Sequence, residues 1–196
     1  MLAPHSSIDI PFRPRAAIHP DGCVEGYASL FGEVDQARDM VMPGAFAQTL
    51  RLRGVRRIPM LFQHDPAEPI GIWQDIAEDW RGLRVRGRLI PDVMRARELL
   101  ALLREGAADG LSIGFKTVKA RVDPKSRIRK LDQVDLWEIS IVTFPLLSGA
   151  RIRAVPEARV RAVKEAKAPF APPARTRRPL VPDPAAKRRI LYQRAV

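Results

Sequence analysis

Cysteine and histidine are scarce in this chain, and their scarcity excludes several kinds of site. Cys23 is the only cysteine among 196 residues, so neither an internal disulfide nor a thiolate metal cluster can form within one chain. The three histidines, His5, His19 and His64, are too few to favour a histidine-built metal site. We therefore expect a protein that needs no metal and no other cofactor.

Long apolar runs are also absent, and none approaches the roughly 20 residues that a membrane-spanning helix needs. The first residues, MLAPHSSIDIPFRPR, lack the basic-then-apolar order of a secretory signal. We therefore expect a cytoplasmic protein with no membrane partner. The hydrophobic content of 46% is sufficient for a core.

Positive charge is concentrated at the end of the chain. The net charge is +12, and residues 151–196 contain thirteen Lys/Arg and three Asp/Glu, which leaves about +2 for residues 1–150. Seven of the 18 prolines also lie in that last part. We interpret 1–16 as a flexible leader, 17–153 as one domain, and 154–196 as a basic Pro/Ala/Arg-rich tail. The tail either docks on an acidic surface or only solubilises the protein.

Hydrophobic patterning predicts about seven strands and two helices. The predicted strands lie in 24–31, 58–65, a hairpin within 69–90, 108–122, 123–131 and 133–145. The predicted helices lie in 42–54, with Pro43 in the first turn, and in 93–106, and Gly54 and Gly106 end them. Because strands and helices do not alternate regularly, the pattern favours an α+β fold, a mainly antiparallel β-barrel with peripheral helices.

Ser112 has the surroundings best suited to a nucleophile. It lies in DGLSIGF, where Gly110 and Gly114 let a substrate backbone approach and let backbone N–H groups face a developing oxyanion. The letters match G-x-S-x-G, but the α/β-hydrolase elbow needs a strand before the serine and a helix after it. Here the predicted order is reversed, and a plain strand residue beside a turn is the competing interpretation. Cys23 is interpreted as a small, partly buried residue.

A nucleophilic serine needs a base, and histidine is the usual one. His5 and His19 lie in or near the leader, whereas His64 ends an apolar strand. A capping or surface histidine is the alternative interpretation of His64.

A third group is expected to orient the imidazole. Glu138 stands among apolar neighbours in LWEISIVTF, where an acid is costly to bury without a partner. An outward-facing strand position explains Glu138 equally well. Asp65 and Asp135 are weaker candidates.

Six segments occur in an order that resembles a known family. They are GYASLFGEVD, DMVMPGAF, MLFQHDPAEPIG, the hairpin ending in VRGRLI, DGLSIGF and DLWEISIVTFP. Together, over residues 18–152, they resemble the prohead maturation proteases of tailed phages, a family similar in fold to herpesvirus assemblin. Such genes also occur in prophages and gene transfer agents.

The resemblance implies a serine endopeptidase that acts inside the immature capsid in the host cytoplasm. It would process scaffold, or the scaffold-like segment of the major capsid protein, and then digest itself. The portal and a second copy of the chain are further candidate partners, whereas nucleic acid is not expected, because the near-neutral body lacks a recognisable nucleic-acid-binding motif. The rival interpretation is a capsid-assembly factor that lacks catalytic activity.

The resemblance also assigns roles to residues. The motif histidine is His64 and the motif serine is Ser112. Assemblin uses a second histidine in a later strand, and this chain has none after residue 64, so Glu138 becomes the expected third member. Arg151 and Arg153 are candidates for an arginine loop near the oxyanion. Six aromatic residues are interpreted as core or barrel wall rather than substrate contacts: Phe62, Trp73, Trp80, Phe115, Trp137 and Phe144.

Overall fold

The computed structural model describes residues 21–153, so the leader and the tail expected from the sequence lie outside the described residues. Within this range the elements are β1 (Cys23–Leu30), β2 (Asp39–Val41), α1 (Ala47–Arg53), a 3₁₀ turn (Val55–Arg57), β3 (Pro59–Phe62), β4 (Asp65–Glu78), β5 (Gly82–Leu89), α2 (Met94–Arg104), β6 (Gly110–Val122), β7 (Arg129–Val142) and β8 (Ile152–Arg153). No helix in this part of the chain has the length and apolar character to cross a membrane.

The eight strands form one mixed, curled sheet of half-barrel form. Its order is β2-β7-β3-β4-β5-β1-β8, and β6 pairs with the free edge of β7. Five pairings are antiparallel, whereas β2–β7 and β3–β7 are parallel. An isolated bridge joins Arg151, the residue before β8, to Gly110 at the start of β6. The predicted α+β class is therefore confirmed, but the sheet is not purely antiparallel, because β7 receives both β2 and β3 in the parallel sense.

Strand β7 is the centre of the arrangement that matters for function. Ser140 of β7 lies opposite Leu61 of β3 on one edge and opposite Ser112 of β6 on the other. Glu138, two residues earlier, lies opposite Gly114 of β6. Because alternate residues of a strand share a face, Glu138 and Ser140 lie on the same side of β7.

Helix α2 buries one face against the sheet. Ala96, Leu99, Leu100 and Leu103 are buried at helical spacing, and Leu99 and Leu103 are only 1% exposed. Burying a leucine side chain stabilises a fold by about 1.5–3 kcal/mol, so this face holds α2 in place. Gly106 follows the helix with a φ of 72°, a left-handed conformation that glycine adopts without strain.

The other helix is shorter than its sequence pattern predicts. Helix α1 begins at Ala47, so Pro43 lies in the preceding turn rather than in the first helical turn. Gly54 follows α1 with a φ of 73°, which confirms the predicted stop.

The aromatic residues divide between core and surface. Trp73 is buried, and Phe62 and Phe115 pack against the core. Trp80 and Phe144 are both 89% exposed and Trp137 is 53% exposed, so the interpretation of these three as core or barrel wall was wrong. Trp80 lies in the β4–β5 hairpin loop and Phe144 lies beyond the end of β7, where no sheet face covers them, and Trp137 occupies an outward-facing position of β7.

Candidate active site

The turn between β3 and β4 holds the imidazole in place. Gln63 and His64 form this two-residue turn, and their φ values are 55° and 61°. Positive φ at both positions is typical of a type I′ hairpin turn, and for residues with a Cβ it costs roughly 1–2 kcal/mol each. The surrounding structure must therefore stabilise the turn.

Strand β7 and the residue after it supply that stabilisation. The backbone N–H of Gln63 donates to the Ile141 carbonyl at 3.0 Å, and the Gln63 side-chain amide donates to Thr143 Oγ1 at 2.7 Å. The backbone N–H of His64 donates to Ser140 Oγ at 3.1 Å. These three hydrogen bonds fix the direction in which the His64 side chain leaves the turn.

The structure brings three of the sequence-predicted residues together. His64 Nε2 lies 2.9 Å from Ser112 Oγ, and His64 Nδ1 lies 2.6 Å from Glu138 Oε1. Ser112 is only 6% exposed, whereas the His64 side chain is 42% exposed. We call Ser112, His64 and Glu138 the triad.

Two further residues adjoin the Glu138 carboxylate: the sequence analysis missed Ser140, and it named Gly114 but not this contact. Ser140 is fully buried, and its hydroxyl donates to Glu138 Oε2 at 2.6 Å while accepting the His64 backbone N–H. Gly114 lies under the same carboxylate, since a Cβ at this position would collide with Glu138 Oε1. The spacing in the sequence could have indicated these contacts, because Ser140 lies two residues after Glu138 and Gly114 lies two residues after Ser112.

The pKa of His64 is raised above its ordinary value of 6.5. The main cause is the hydrogen bond to Glu138, which favours the protonated imidazole, and the negative charge of Glu138 acts in the same direction. Partial burial opposes this shift without cancelling it. The site is therefore built to stabilise an imidazolium, the charge that forms when His64 accepts a proton.

The weaker carboxylate candidates lie in other networks. Asp65 Oδ1 accepts the backbone N–H of Ala67 at 2.8 Å. Asp135 accepts hydrogen bonds from Trp137 and Arg53, and these lower its pKa. Glu138 is the carboxylate that meets His64.

Cys23 lacks the properties of a nucleophile. Burial, together with a hydrogen bond and charge from Asp21, raises the pKa of its thiol to about 11. The thiolate is the reactive form of cysteine, and the raised pKa keeps the Cys23 thiol protonated near neutral pH.

The two arginines expected near the oxyanion have other partners within the described residues. Arg151 forms an ion pair with Asp109, and its Nε donates to the Ser148 carbonyl at 2.9 Å. Arg153 lies over the Tyr27 ring, 5.8 Å from its centroid. Arg151 therefore contacts Asp109 and Gly110, three and two residues before Ser112 in the chain. An oxyanion role for Arg151 or Arg153 stays a prediction.

A small hollow has Ser112 in its lining. Its volume is about 40 Å³, and apolar side chains that include Leu30, Leu111 and Ile113 dominate its lining. Glu33 and Asp35 also line it.

A hydroxyl, an imidazole and a carboxylate joined in this order form the arrangement by which serine hydrolases activate serine. This constellation recurs on unrelated folds and is recognised by geometry rather than by sequence order. The fold and the site together thus define a candidate hydrolase of the serine type.

Comparison with known proteins identifies the family. The chain belongs to the caudovirus prohead serine protease family, whose model matches residues 13–166. The prohead protease of Enterobacteria phage HK97 is 41% identical over 137 residues, which cover 68% of this chain and 60% of that protein. The chain thus spans about three fifths of the length of this relative.

Solved structures give a comparison at the level of fold. The bacteriophage T4 capsid assembly protease aligns with a TM-score of 0.51 and 16% identity, over 63% of this chain and 82% of its own. The KSHV protease aligns with a TM-score of 0.45 and 11% identity, over 66% of this chain and 63% of its own. The T4 match indicates a shared fold.

Proposed function

We propose that this chain is a serine endopeptidase of capsid maturation, in which Ser112 is the nucleophile, His64 the general base and Glu138 the residue that orients His64. The observation that carries this proposal is the pair of hydrogen bonds on either side of the imidazole, 2.9 Å to Ser112 Oγ and 2.6 Å to Glu138 Oε1. Family membership supports the same assignment.

The chemistry follows from this geometry. Ser112 Oγ attacks a peptide carbonyl while its proton passes to His64 Nε2, and the carbonyl oxygen becomes an oxyanion. The protonated imidazole then gives that proton to the leaving amine as the C–N bond breaks, which leaves an acyl-enzyme. Water attacks the acyl-enzyme with His64 again as base, and the new carboxyl product leaves while Ser112 regains its proton.

Glu138 orients the imidazole of His64 and stabilises its positive charge when it is protonated. Its carboxylate accepts a hydrogen bond from the Nδ1–H, which keeps the ring proton on Nδ1 and leaves Nε2 free to accept the proton of Ser112. Backbone N–H groups near Gly110 and Gly114 are the proposed oxyanion donors, with Arg151 and Arg153 as further candidates.

The proposed substrates come from the family. The enzyme would cleave scaffold, or the scaffold-like segment of the major capsid protein, inside the immature capsid in the host cytoplasm, and would also cleave itself. The relative is named a prohead protease, and the T4 protein is named a capsid assembly protease. A portal contact and a homodimer belong to the same proposal.

The test is co-expression of the full chain with its major capsid protein, followed by mass spectrometry of the products. Defined fragments should form with the unaltered chain and with the control Ser148→Ala, an exposed serine outside the triad, and should vanish with Ser112→Ala. Fragments that persist with Ser112→Ala would refute the assignment. An unaltered chain that assembles with the capsid protein but cuts nothing would favour the inactive assembly factor.

A further inference from the structure

A second concave site lies away from the triad. A cleft of about 910 Å³ is bounded by the 3₁₀ turn, the start of β3, the middle of β4 and Arg86 of β5. This volume falls in the range of about 300–1,000 Å³ that is typical of ligand sites. We call it the arginine cleft, after Arg53, Arg56, Arg57 and Arg86 in its lining.

The arginine cleft carries uncompensated positive charge. Arg53 is neutralised by Asp135, whose two oxygens it contacts at 2.8 and 2.9 Å. Arg56, Arg57 and Arg86 form no ion pair with any described residue, and the lining contains no Asp or Glu. Arg56 and Arg57 therefore line the cleft without an ion-pair partner among residues 21–153, whereas Arg86 has Glu25 and Asp75 as its cross-strand neighbours.

The lining also holds two buried donors without acceptors. Trp73 is 3% exposed, and its indole Nε1 has no hydrogen-bond partner. The buried Nε of Arg86 also has no hydrogen-bond partner. These are the two buried side-chain atoms without a partner in the described part of the chain, and both residues line the same cleft. An unsatisfied buried donor is costly, so an acceptor that reaches either atom from the cleft would supply a hydrogen bond that the described residues do not.

We propose that the arginine cleft binds an acidic peptide segment, whose carboxylates accept hydrogen bonds from Trp73, Arg86 and the arginines of the 3₁₀ turn. Carboxylates match the planar guanidinium fork and also accept from an indole N–H. The described residues carry 21 Lys/Arg and 18 Asp/Glu, so a long polyanion such as nucleic acid would meet nearly as many carboxylates as cations. A short acidic peptide needs only the cleft itself.

The position of the cleft indicates what the peptide belongs to, and this step rests on the proposed function. Pro59, the first residue of β3, lines the cleft, and His64 follows the other end of the same strand. Five residues at about 3.3 Å each separate the two sites by roughly 17 Å along β3. An extended substrate can therefore reach Ser112 while an acidic segment of the same polypeptide occupies the cleft, which acts as a docking site remote from the cut.

The test measures binding without cleavage. Full-length Ser112→Ala protein, which cannot digest itself under the proposed function, is titrated into fluorescein-labelled hexaglutamate, with hexaglutamine as the uncharged control. Fluorescence anisotropy gives Kd for a triple variant of the cleft, Arg56→Gln, Arg57→Gln and Arg86→Gln. The matched control triple is Arg97→Gln, Arg104→Gln and Arg127→Gln, which removes the same charge from exposed positions elsewhere.

The cleft triple should bind hexaglutamate about tenfold more weakly or worse, because each lost charged hydrogen bond is worth about that factor. The control triple should change Kd less than twofold, and any binding by the basic tail is common to both variants. Equal losses in the two triples, or no loss in the cleft triple, would overturn the proposal.

A second readout needs no change in the cleft. The chain has three tryptophans, and the exposed Trp80 and Trp137 can each be changed to Phe to assign the indole N–H resonance of Trp73. Hexaglutamate should shift that resonance downfield. An unmoved resonance at saturation, or one moved by inorganic phosphate or oligothymidylate but not by hexaglutamate, would contradict the proposal. Cleavage of capsid protein by the unaltered chain is measured separately, so the proposed protease function and the proposed peptide binding in the arginine cleft can each fail without the other.

Discussion

Replacing Ser140 with alanine should slow peptide cleavage about 10- to 100-fold while the protein stays folded. The Ser140 hydroxyl donates to Glu138 Oε2 at 2.6 Å and accepts the His64 backbone N–H at 3.1 Å. A hydrogen bond to a charged group contributes about 1.5–3 kcal/mol, and one factor of ten in rate corresponds to about 1.4 kcal/mol. The loss falls on kcat, because the Glu138–imidazolium pair that Ser140 positions is formed fully only during the reaction.

The assay is steady-state cleavage of a peptide that spans the mapped cut site, with kcat and KM measured across pH. Thr49→Val is a matched control, because Thr49 is also a buried hydroxyl that donates to a carboxylate, Asp135, and accepts a backbone N–H, that of Leu136. Both variants should lower Tm, but only Ser140→Ala should lower kcat, and Ser140→Thr should restore part of it.

A folded Ser140→Ala protein with kcat within twofold of the unaltered chain would refute this reasoning. An equal fall in kcat for Thr49→Val would also refute it, because the effect would then come from general loosening of the fold.

Three more predictions concern the triad and its surroundings. Under the proposed mechanism cleavage needs neutral His64, so the rate should rise with pH through a midpoint above 6.5. Replacing Glu138 with glutamine should lower both that midpoint and the rate at the plateau. A midpoint that does not move in the pH–rate profile of Glu138→Gln would contradict the raised pKa. Gly114→Ala should displace the Glu138 carboxylate, and should therefore lower kcat by at least about tenfold and lower the His64 pKa measured by NMR. Full activity would show that the carboxylate keeps its position beside an added Cβ. Iodoacetamide at pH 7 should leave cleavage unchanged because Cys23 has a pKa of about 11, and inactivation that parallels modification of Cys23 would make a thiol role necessary.

Local pattern was sufficient to predict the elements that are stable in their own sequence context. The hairpin of β4 and β5 has alternating residues on both sides of a polar loop, and α2 has leucines at helical spacing followed by Gly106. The order of a helix before Ser112 and a strand after it was also predicted correctly from these signals.

Elements that depend on distant partners were not predictable in this way. Strands β2 and β8 have only three and two residues, and they exist because β7 and β1 supply their hydrogen bonds. The parallel pairing of β3 with β7 could not be predicted from the residues of β3, because their pattern does not depend on the direction of the neighbouring strand.

The candidate site shows the same division. Chemistry and motif drew attention to Ser112, His64 and Glu138, but nothing local predicts a turn with positive φ at Gln63 and His64, because neither is glycine or asparagine. That turn is imposed by hydrogen bonds from β7 and the residue after it. Ser140 escaped notice for the same reason, since its role depends on pairing across three strands.

The most direct measurement of the central claim is the reaction of the full chain with a fluorophosphonate, followed by mass spectrometry of the modified peptide. The triad predicts a single covalent adduct on the Ser112 side chain, formed rapidly at pH 8 and slowed by orders of magnitude in His64→Ala. No adduct on the folded protein, or an adduct on another serine with Ser112 unmodified, would contradict the account.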